Sequence, residues 1–256
     1  MIRTMKNFRP VAGLLCAMAL GACEKNTVQD ITAPLPASRI KFHNFAVGAP
    51  GVNFYANEAK MTAISSTTGV ESTNGVAYAA VGNGGLYSGI APGSYTLSGK
   101  IAAATDKDLA IAKTTTTIED GKAYSFYTSG VYNTVTKSAD AFVVEDPLPT
   151  DVDFRVARVR FVNAISGSNP AALGIRNQTS GTVTAVGGDV AYKAAGAFVS
   201  VPAGVYDLAA IFPGAGVSSL AAVSLSGGRI YTVGARGDIK ATTGATVPTF
   251  TIVANR

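Results

Sequence analysis

A six-residue block occurs twice in the 256-residue chain, as Arg39-Ile40-Lys41-Phe42-His43-Asn44 and as Arg158-Val159-Arg160-Phe161-Val162-Asn163. Apolar and polar residues alternate with period two in the first copy, which is typical of a β-strand with one buried face. Ile40 and Phe42 are therefore expected to point into a core. Arg39, Lys41 and His43 are expected to point the other way. The block predicts the same first strand in two related domains.

Two further segments repeat in the same order along the chain. Residues 86–97 match residues 197–208, and residues 118–124 match residues 225–231. Strand-like segments recur every 8–12 residues or so between Gly- and Pro-containing turns, and no amphipathic helical pattern accompanies them. The sequence therefore predicts an all-β fold with two tandem immunoglobulin-like antiparallel β-sandwich domains. An open barrel is the alternative.

Short glycine turns precede the last matched strand of each copy. Asp120-Gly121 and Gly227-Gly228 are typical of tight hairpins. Tyr124 and Tyr231 follow these turns, where a tyrosine hydroxyl can bond back to the turn backbone, as in the tyrosine corner of immunoglobulin-like domains.

Residues 1–22 have the organisation of an export signal. A basic start with Arg3, Lys6 and Arg9 precedes an apolar stretch over residues 11–20. That stretch is shorter than the roughly 20 residues that a transmembrane helix needs. We interpret it as a signal peptide that is removed.

The sequence Leu20-Gly21-Ala22-Cys23 is similar to the lipobox of bacterial lipoproteins. The resemblance implies cleavage between Ala22 and Cys23 and attachment of diacylglycerol to the Cys23 thiol. Glu24 stands where an Asp would favour retention in the inner membrane, so the outer membrane is the expected location. The resemblance therefore implies that the protein is attached to the membrane through an N-terminal lipid anchor.

Composition shifts divide the rest of the chain. Residues 23–37 are polar with two prolines and predict a flexible tether. Residues 147–153 are acidic and proline-containing, as expected of a stiff linker. The predicted domains are therefore residues 38–146 and residues 154–256, each of about 100 residues and large enough for its own core.

The charge balance gives no support to nucleic-acid binding. The full sequence has 21 basic and 16 acidic residues, and removal of the signal peptide leaves 18 basic residues. No run of five or more basic residues survives in the mature chain, so a nucleic-acid role loses its main electrostatic support.

Candidate catalytic residues are few. His43 is the only histidine and is expected to be a solvated strand residue, because the second copy has Val162 in its place. Acylation of Cys23 would leave the mature chain without a free thiol. No spacing matches a zinc or calcium site, and Gly82-Asn83-Gly84-Gly85 lacks the Lys-Ser/Thr of a phosphate loop. We expect a protein that is not an enzyme and has no metal or other cofactor.

The repeated motifs together resemble those of a bacterial envelope family, the domain-of-unknown-function family 4397. They are the Arg39–Asn44 block, Gly51-Val52-Asn53-Phe54-Tyr55-Ala56-Asn57, Pro92-Gly93-Ser94-Tyr95 and Gly121-Lys122-Ala123-Tyr124. The second copy departs from the second motif, with Leu173-Gly174-Ile175-Arg176-Asn177. The resemblance implies an immunoglobulin-like sandwich at the cell surface and transfers no catalytic residue.

Tyrosines are concentrated in the first domain, and four of them have no counterpart in the second copy. They are Tyr55, Tyr78, Tyr127 and Tyr132. Surface tyrosines anchor protein interfaces and stack on sugars. The first hypothesis is therefore a protein-interaction or structural role at the envelope with most affinity in the first domain. The alternative is glycan binding.

Overall fold

Strands make up every regular element of the described chain except one 3₁₀ turn at Gly82–Gly85. The computed structural model describes residues 36–62, 74–212 and 216–256, and Pro36–Arg256 form one compact unit. The predicted all-β class is confirmed.

The first half contains eight strands in its described residues. They are β1 (Arg39–Asn44), β2 (Val52–Ala56), β3 (Ala59–Lys60), β4 (Ser88–Gly89), β5 (Gly93–Ile101), β6 (Ala110–Ile118), β7 (Ala123–Asn133) and β8 (Ser138–Glu145). They form two sheets, with strand orders β4-β1-β7-β8 and β3-β2-β5-β6. We name the first the inner sheet, because it contacts the second half, and the other the outer sheet.

The second half repeats this plan. Its strands are β9 (Val156–Asn163), β10 (Ala171–Asn177), β11 (Val183–Val190), β12 (Ala194–Ala195), β13 (Val199–Pro202), β14 (Gly204–Phe212), β15 (Gly216–Leu225), β16 (Ile230–Arg236) and β17 (Thr249–Ala254). The inner sheet has the order β12-β9-β16-β17, with β13 also paired to β9. The outer sheet has the order β11-β10-β14-β15.

The register of the strands follows the sequence repeat. Arg39 lies opposite Gly89 in the first half, and the matching Arg158 lies opposite the matching Ser200 in the second. The inner sheets also share one parallel pairing, β1 with β7 and β9 with β16. These two parallel pairs depart from the prediction of antiparallel sheets, and the other pairings between strands are antiparallel.

Each half has a core that draws on both of its sheets. In the first half, Phe42 of β1 stacks on Phe54 of β2 with ring centroids 5.2 Å apart. In the second half, Phe161 of β9 belongs to one buried cluster with Leu173 of β10. Burial of each such side chain contributes about 1.5–3 kcal/mol. The inward positions predicted from the period-two pattern are therefore core positions.

The sequence predicted that the two glycine turns close hairpins, and this prediction is wrong. The turn at Gly121 joins β6 of the outer sheet to β7 of the inner sheet, and the turn at Gly228 joins β15 to β16 in the same way. Both glycines have positive φ, 72° and 74°, which residues with a Cβ rarely adopt. The turns are corners between sheets.

The predicted tyrosine hydrogen bond is present at both corners. The backbone N–H of Glu119 donates to the Tyr124 hydroxyl at 3.1 Å, and that of Ser226 donates to the Tyr231 hydroxyl at 3.1 Å. Each ring thus spans the corner that precedes its strand and fixes the entry of that strand into the inner sheet.

Candidate functional site

The two inner sheets face each other, and we call their contact the junction. A separate buried cluster lies in it, formed by residues of both halves: Phe45, Tyr127, Phe142, Val162 and Ala164. The faces of β1 and β9 that point away from the two cores are therefore covered by protein and not by solvent.

Lys41 reaches from β1 across the junction to the end of β17. Its Nζ donates to the Ala254 carbonyl oxygen at 3.2 Å and to Asn255 Oδ1 at 3.0 Å. The same Nζ lies 4.3 Å from the ring centroid of Tyr87. Burial lowers the pKa of Lys41 to about 8, and the opposing attraction of Asp146 does not restore it.

Arg160, which matches Lys41 in the second copy, reaches the other way, to the end of β8. Its guanidinium donates to the Glu145 carbonyl oxygen at 2.9 Å and forms an ion pair with the carboxylate of Asp146. It lies 5.1 Å from the ring of Phe198, the residue that matches Tyr87. Equivalent cations thus bind equivalent strand ends, so the halves are related by an approximate two-fold axis.

The carboxylate of Asp146 is fully engaged. Arg160 contacts Oδ1, while the Tyr87 hydroxyl donates to Oδ2 at 2.6 Å and Ser125 Oγ donates to it at 2.7 Å. Burial and the neighbouring carboxylate raise the pKa of Tyr87 above its usual value. Both members of the ion pair are buried, so their charges depend on each other and on these hydroxyls.

His43 lies inside the junction, and its predicted solvent exposure is wrong. It is 1% exposed, and its ring stacks on Tyr127 with centroids 4.2 Å apart. Neither ring nitrogen has a hydrogen-bond partner among the described residues. Burial, helped by the charges of Lys41 and Arg160, holds the pKa of His43 well below its usual value. The imidazole is neutral and serves as a flat packing surface.

The four tyrosines predicted as a binding surface lie on different parts of the first half. Tyr127 is fully buried in the junction, so its predicted exposure is wrong. Tyr78 is half-buried beneath Arg236 of the second half, 5.3 Å from ring centroid to guanidinium. Tyr132 is half-buried against the core of the first half. Tyr55 lies on the outer sheet, with Lys100 Nζ 4.5 Å from its ring centroid. The structure does not join them into one surface.

The outward faces of the two outer sheets differ in chemistry. A polar groove of about 410 Å³ on the first half is lined by residues that include Asn57, Glu58, Thr96, Ser98, Lys100 and Lys113. An apolar groove of about 550 Å³ on the second half is lined by residues that include Ala172, Gly174, Val183, Ala185, Ala209 and Ile211. Val183 and Ile211 are 65% and 59% exposed. This apolar face is a candidate binding surface that the distribution of tyrosines did not indicate.

A third groove, of about 540 Å³, lies where the first half meets β17. Leu86 and Tyr87 of the first half form one wall, and residues 251–256 with Arg229 form the other. Leu86 is 71% exposed there. We call this the junction groove.

Sequence reasoning missed the polar contacts of the junction. Their signal was the conserved basic character of one outward position in the two copies, Lys41 and Arg160, within an otherwise strand-like block. Asp146 appeared only as the last residue of the predicted first domain. Across the described residues, no group of three or more His, Cys, Asp or Glu side chains is placed to hold a metal ion.

The predicted cleavage and lipidation residues, Ala22 and Cys23, lie outside the described residues. Within the described ranges, no helix has the length and apolar character needed to span a membrane. The anchor therefore stays a prediction from the sequence.

Comparison with solved structures finds distant likenesses. The Bacillus anthracis TIE protein is 12% identical with a TM-score of 0.25, over 80% of this chain and 34% of its own. A leucine-rich repeat protein from Bacteroides thetaiotaomicron VPI-5482 is 10% identical with a TM-score of 0.22, over 80% and 26%. The chain thus spans about a third or a quarter of the length of these proteins.

No curated protein matches the sequence. The family described as Domain of unknown function (DUF4397) matches residues 38–171, which is more than half of the chain and includes the first copy and the start of the second. The resemblance inferred from the repeated motifs is confirmed, and the chain belongs to the DUF4397 family.

Proposed function

We propose that this protein is a non-catalytic lipoprotein of the cell envelope that acts as a surface binding or structural module through protein interactions. The observation that carries the proposal is the junction, in which Lys41, Arg160 and Asp146 are buried and form polar contacts between the halves. These groups hold the two halves together. The outer sheets are thereby held in fixed positions as presenting surfaces.

We also propose that each half is an immunoglobulin-like sandwich. The shared core between two sheets and the tyrosine bond at each corner support this assignment. The domain limits, residues 38–146 and 154–256, belong to the same proposal. In it, loops and sheet faces on a rigid scaffold are the natural places for binding.

The anchor is tested by Cys23→Ser. Since the thiol is the acylation site in the lipobox interpretation, the variant loses lipid attachment and leaves the detergent phase in phase separation. Partitioning of wild type and variant in equal proportion would contradict the anchor, and with it the outer-membrane location.

Binding is tested by photo-crosslinking in intact envelopes. A photoreactive residue replaces Tyr55 on the polar outer face or Ile211 on the apolar outer face, and the control replaces Val135, which is 89% exposed. We expect a discrete crosslinked protein from one outer face and none from Val135. Crosslinking at Tyr55 would favour the first half as the main binding domain, and crosslinking at Ile211 the second. Equal, diffuse products at all three positions would contradict a specific protein partner.

Glycan binding is the second candidate, and the polar groove beside Tyr55 favours it. Carboxylate, amide, hydroxyl and ammonium groups line this groove and can bond to sugar hydroxyls. A glycan array with the full chain, repeated with Lys100→Ala, separates the candidates. Only the glycan role predicts a sugar ligand that is lost in this variant.

A further inference from the structure

The strand β17 forms an open edge of the second inner sheet. It pairs with β16 on one side, and no strand of the described residues pairs with it on the other. The Asn255 N–H bonds to the Ile230 carbonyl oxygen. Alternation along an antiparallel pair therefore turns the backbone groups of Ile252 and Ala254 away from β16. Lys41 Nζ, which lies outside this sheet, donates to the Ala254 carbonyl oxygen, as expected for a group that points away from β16.

β17 lacks the features that keep edge strands from pairing. Native edges are short, twisted by bulges, charged or interrupted by proline. The other edge strands among the described residues have such features: β3, β4 and β12 have two residues each, β13 ends in Pro202, β8 carries Asp140 and Glu145, β6 carries Lys113, and β11 and β15 have register shifts. The sequence of β17, Thr-Phe-Thr-Ile-Val-Ala, has no charge or proline, and its pairing has no register shift.

The junction groove runs beside this edge. Its volume of about 540 Å³ lies between β17 and the wall that Leu86 and Tyr87 provide. The groove has protein on both sides, so a single extended strand fits it better than the sheet of a second folded copy. The exposed Leu86 side chain offers it an apolar contact.

The charge at one end of the groove is positive. Arg229 lies at the carboxyl end of β17, and its guanidinium has no ion pair with the described residues. A strand that runs antiparallel to β17 has its amino-terminal end there. An acidic residue at that end would complement Arg229.

We propose that the free edge of β17 binds an extended peptide segment of another protein as an added antiparallel strand, with an acidic residue near Arg229. The peptide exchanges backbone hydrogen bonds with Ile252 and with the Ala254 N–H, and alternate apolar side chains pack on Leu86. The proposal deepens the proposed binding role and rests on it. If the β17 edge binds no peptide but a protein is crosslinked through an outer face, this proposal fails and the proposed binding role stands.

The probe is a labelled peptide, acetyl-Glu-Val-Thr-Val-Thr-Val-amide, titrated against the full chain by fluorescence anisotropy. Ile252→Pro removes an N–H that points off the sheet and leaves the bonds to β16 in place. Val143→Pro is the matched control, at the equivalent position of β8 in the first half. We expect at least tenfold weaker binding in Ile252→Pro and less than twofold change in Val143→Pro. A peptide N-methylated on alternate residues should also bind at least tenfold more weakly.

A second variant, Arg229→Glu, tests the charge preference without changing the backbone of β17. It keeps the proposal testable if Ile252→Pro does not fold. Arg229→Glu should weaken the Glu-containing peptide and favour a peptide with Lys in its place. No binding to the wild type, equal loss in both proline variants, or unchanged charge preference in Arg229→Glu would each overturn the proposal. A dimer of the chain that Ile252→Pro dissociates would assign the edge to a second copy and overturn it too.

Discussion

Among single contacts, the buried ion pair of Arg160 and Asp146 has the largest expected effect on stability. Arg160→Met leaves the Asp146 carboxylate buried without its cation and should cost about 3–5 kcal/mol in the free energy of unfolding. Arg158→Met, two residues away on β9, removes a partly exposed pair with Asp151 and a hydrogen bond to Ser200 Oγ, and should cost about 1 kcal/mol. Urea unfolding measures both.

The double variant Arg160→Met with Asp146→Leu supplies the control for this prediction. It removes both buried charges, so much of the loss should be recovered. If the double variant is less stable than Arg160→Met alone, the unpaired carboxylate is not the cause of the loss.

His43 gives the junction a pH dependence. Its folded-state pKa lies well below its usual value of 6.5, so below pH 6.5 the unfolded chain binds a proton that the folded chain excludes. Stability is fully present above the unfolded pKa and falls as the pH decreases, by at most about 1.4 kcal/mol per pH unit. Lys41 and Arg160 act in the same direction by repelling the charged imidazole.

The test compares wild type with His43→Phe, which retains a flat ring against Tyr127. The difference in free energy of unfolding between the two should stay constant from pH 7 to 8 and move in favour of the variant from pH 6.5 to 5. A constant difference over the whole range would show that His43 does not titrate against folding.

The corner tyrosines allow the stability contribution of the same hydrogen bond to be compared between the two copies. Tyr124→Phe and Tyr231→Phe each remove a hydroxyl that accepts a backbone hydrogen bond, and each should cost about 1 kcal/mol. Tyr95→Phe is the control, because its hydroxyl makes no hydrogen bond in the described structure, and it should be near neutral. Unequal costs at the two corners, measured by thermal or urea unfolding, would show that the equivalent bonds contribute differently.

The strands themselves were predictable from sequence, and the surroundings of their outward faces were not. Period-two alternation shows that Ile40 and Phe42 share a face opposite Lys41 and His43, and the structure has them so. Alternation does not show what covers the polar face. A second sheet can cover it when a cation such as Lys41 finds carbonyl and amide oxygens across the contact.

The sequence also did not predict which strands pair with each other. A glycine turn such as Asp120-Gly121 fits both a hairpin and a corner between sheets, because both need a residue with positive φ. The choice depends on which strand pairs with β7. Here that strand is β1, which is distant in sequence and parallel. The apolar outer face was not predicted for the same reason, because it forms only when β10 pairs with β14.

The junction has the form of a two-fold dimer interface within one chain. The same strand of each half sends a cation to the last strand of the other, as in an isologous contact. The match is incomplete, since Lys41 meets the neutral Asn255 where Arg160 meets Asp146. Each half has its own core in addition to the shared cluster.

Fragments 38–146 and 154–256 should therefore each fold to a β-rich domain, and they should also bind each other. Alone, each fragment exposes a junction face that the full chain buries, with Asp146 on one and Arg160 on the other. We expect separate fragments to melt at lower temperature than the full chain, and an equimolar mixture to form a 1:1 complex with a higher melting temperature. Arg160→Met in the second fragment should weaken this complex, whereas Arg158→Met should not. Circular dichroism follows folding and analytical ultracentrifugation follows association. A fragment that stays a random coil would refute independent folding of the halves, and folded fragments that do not associate would refute the stabilising role of the junction.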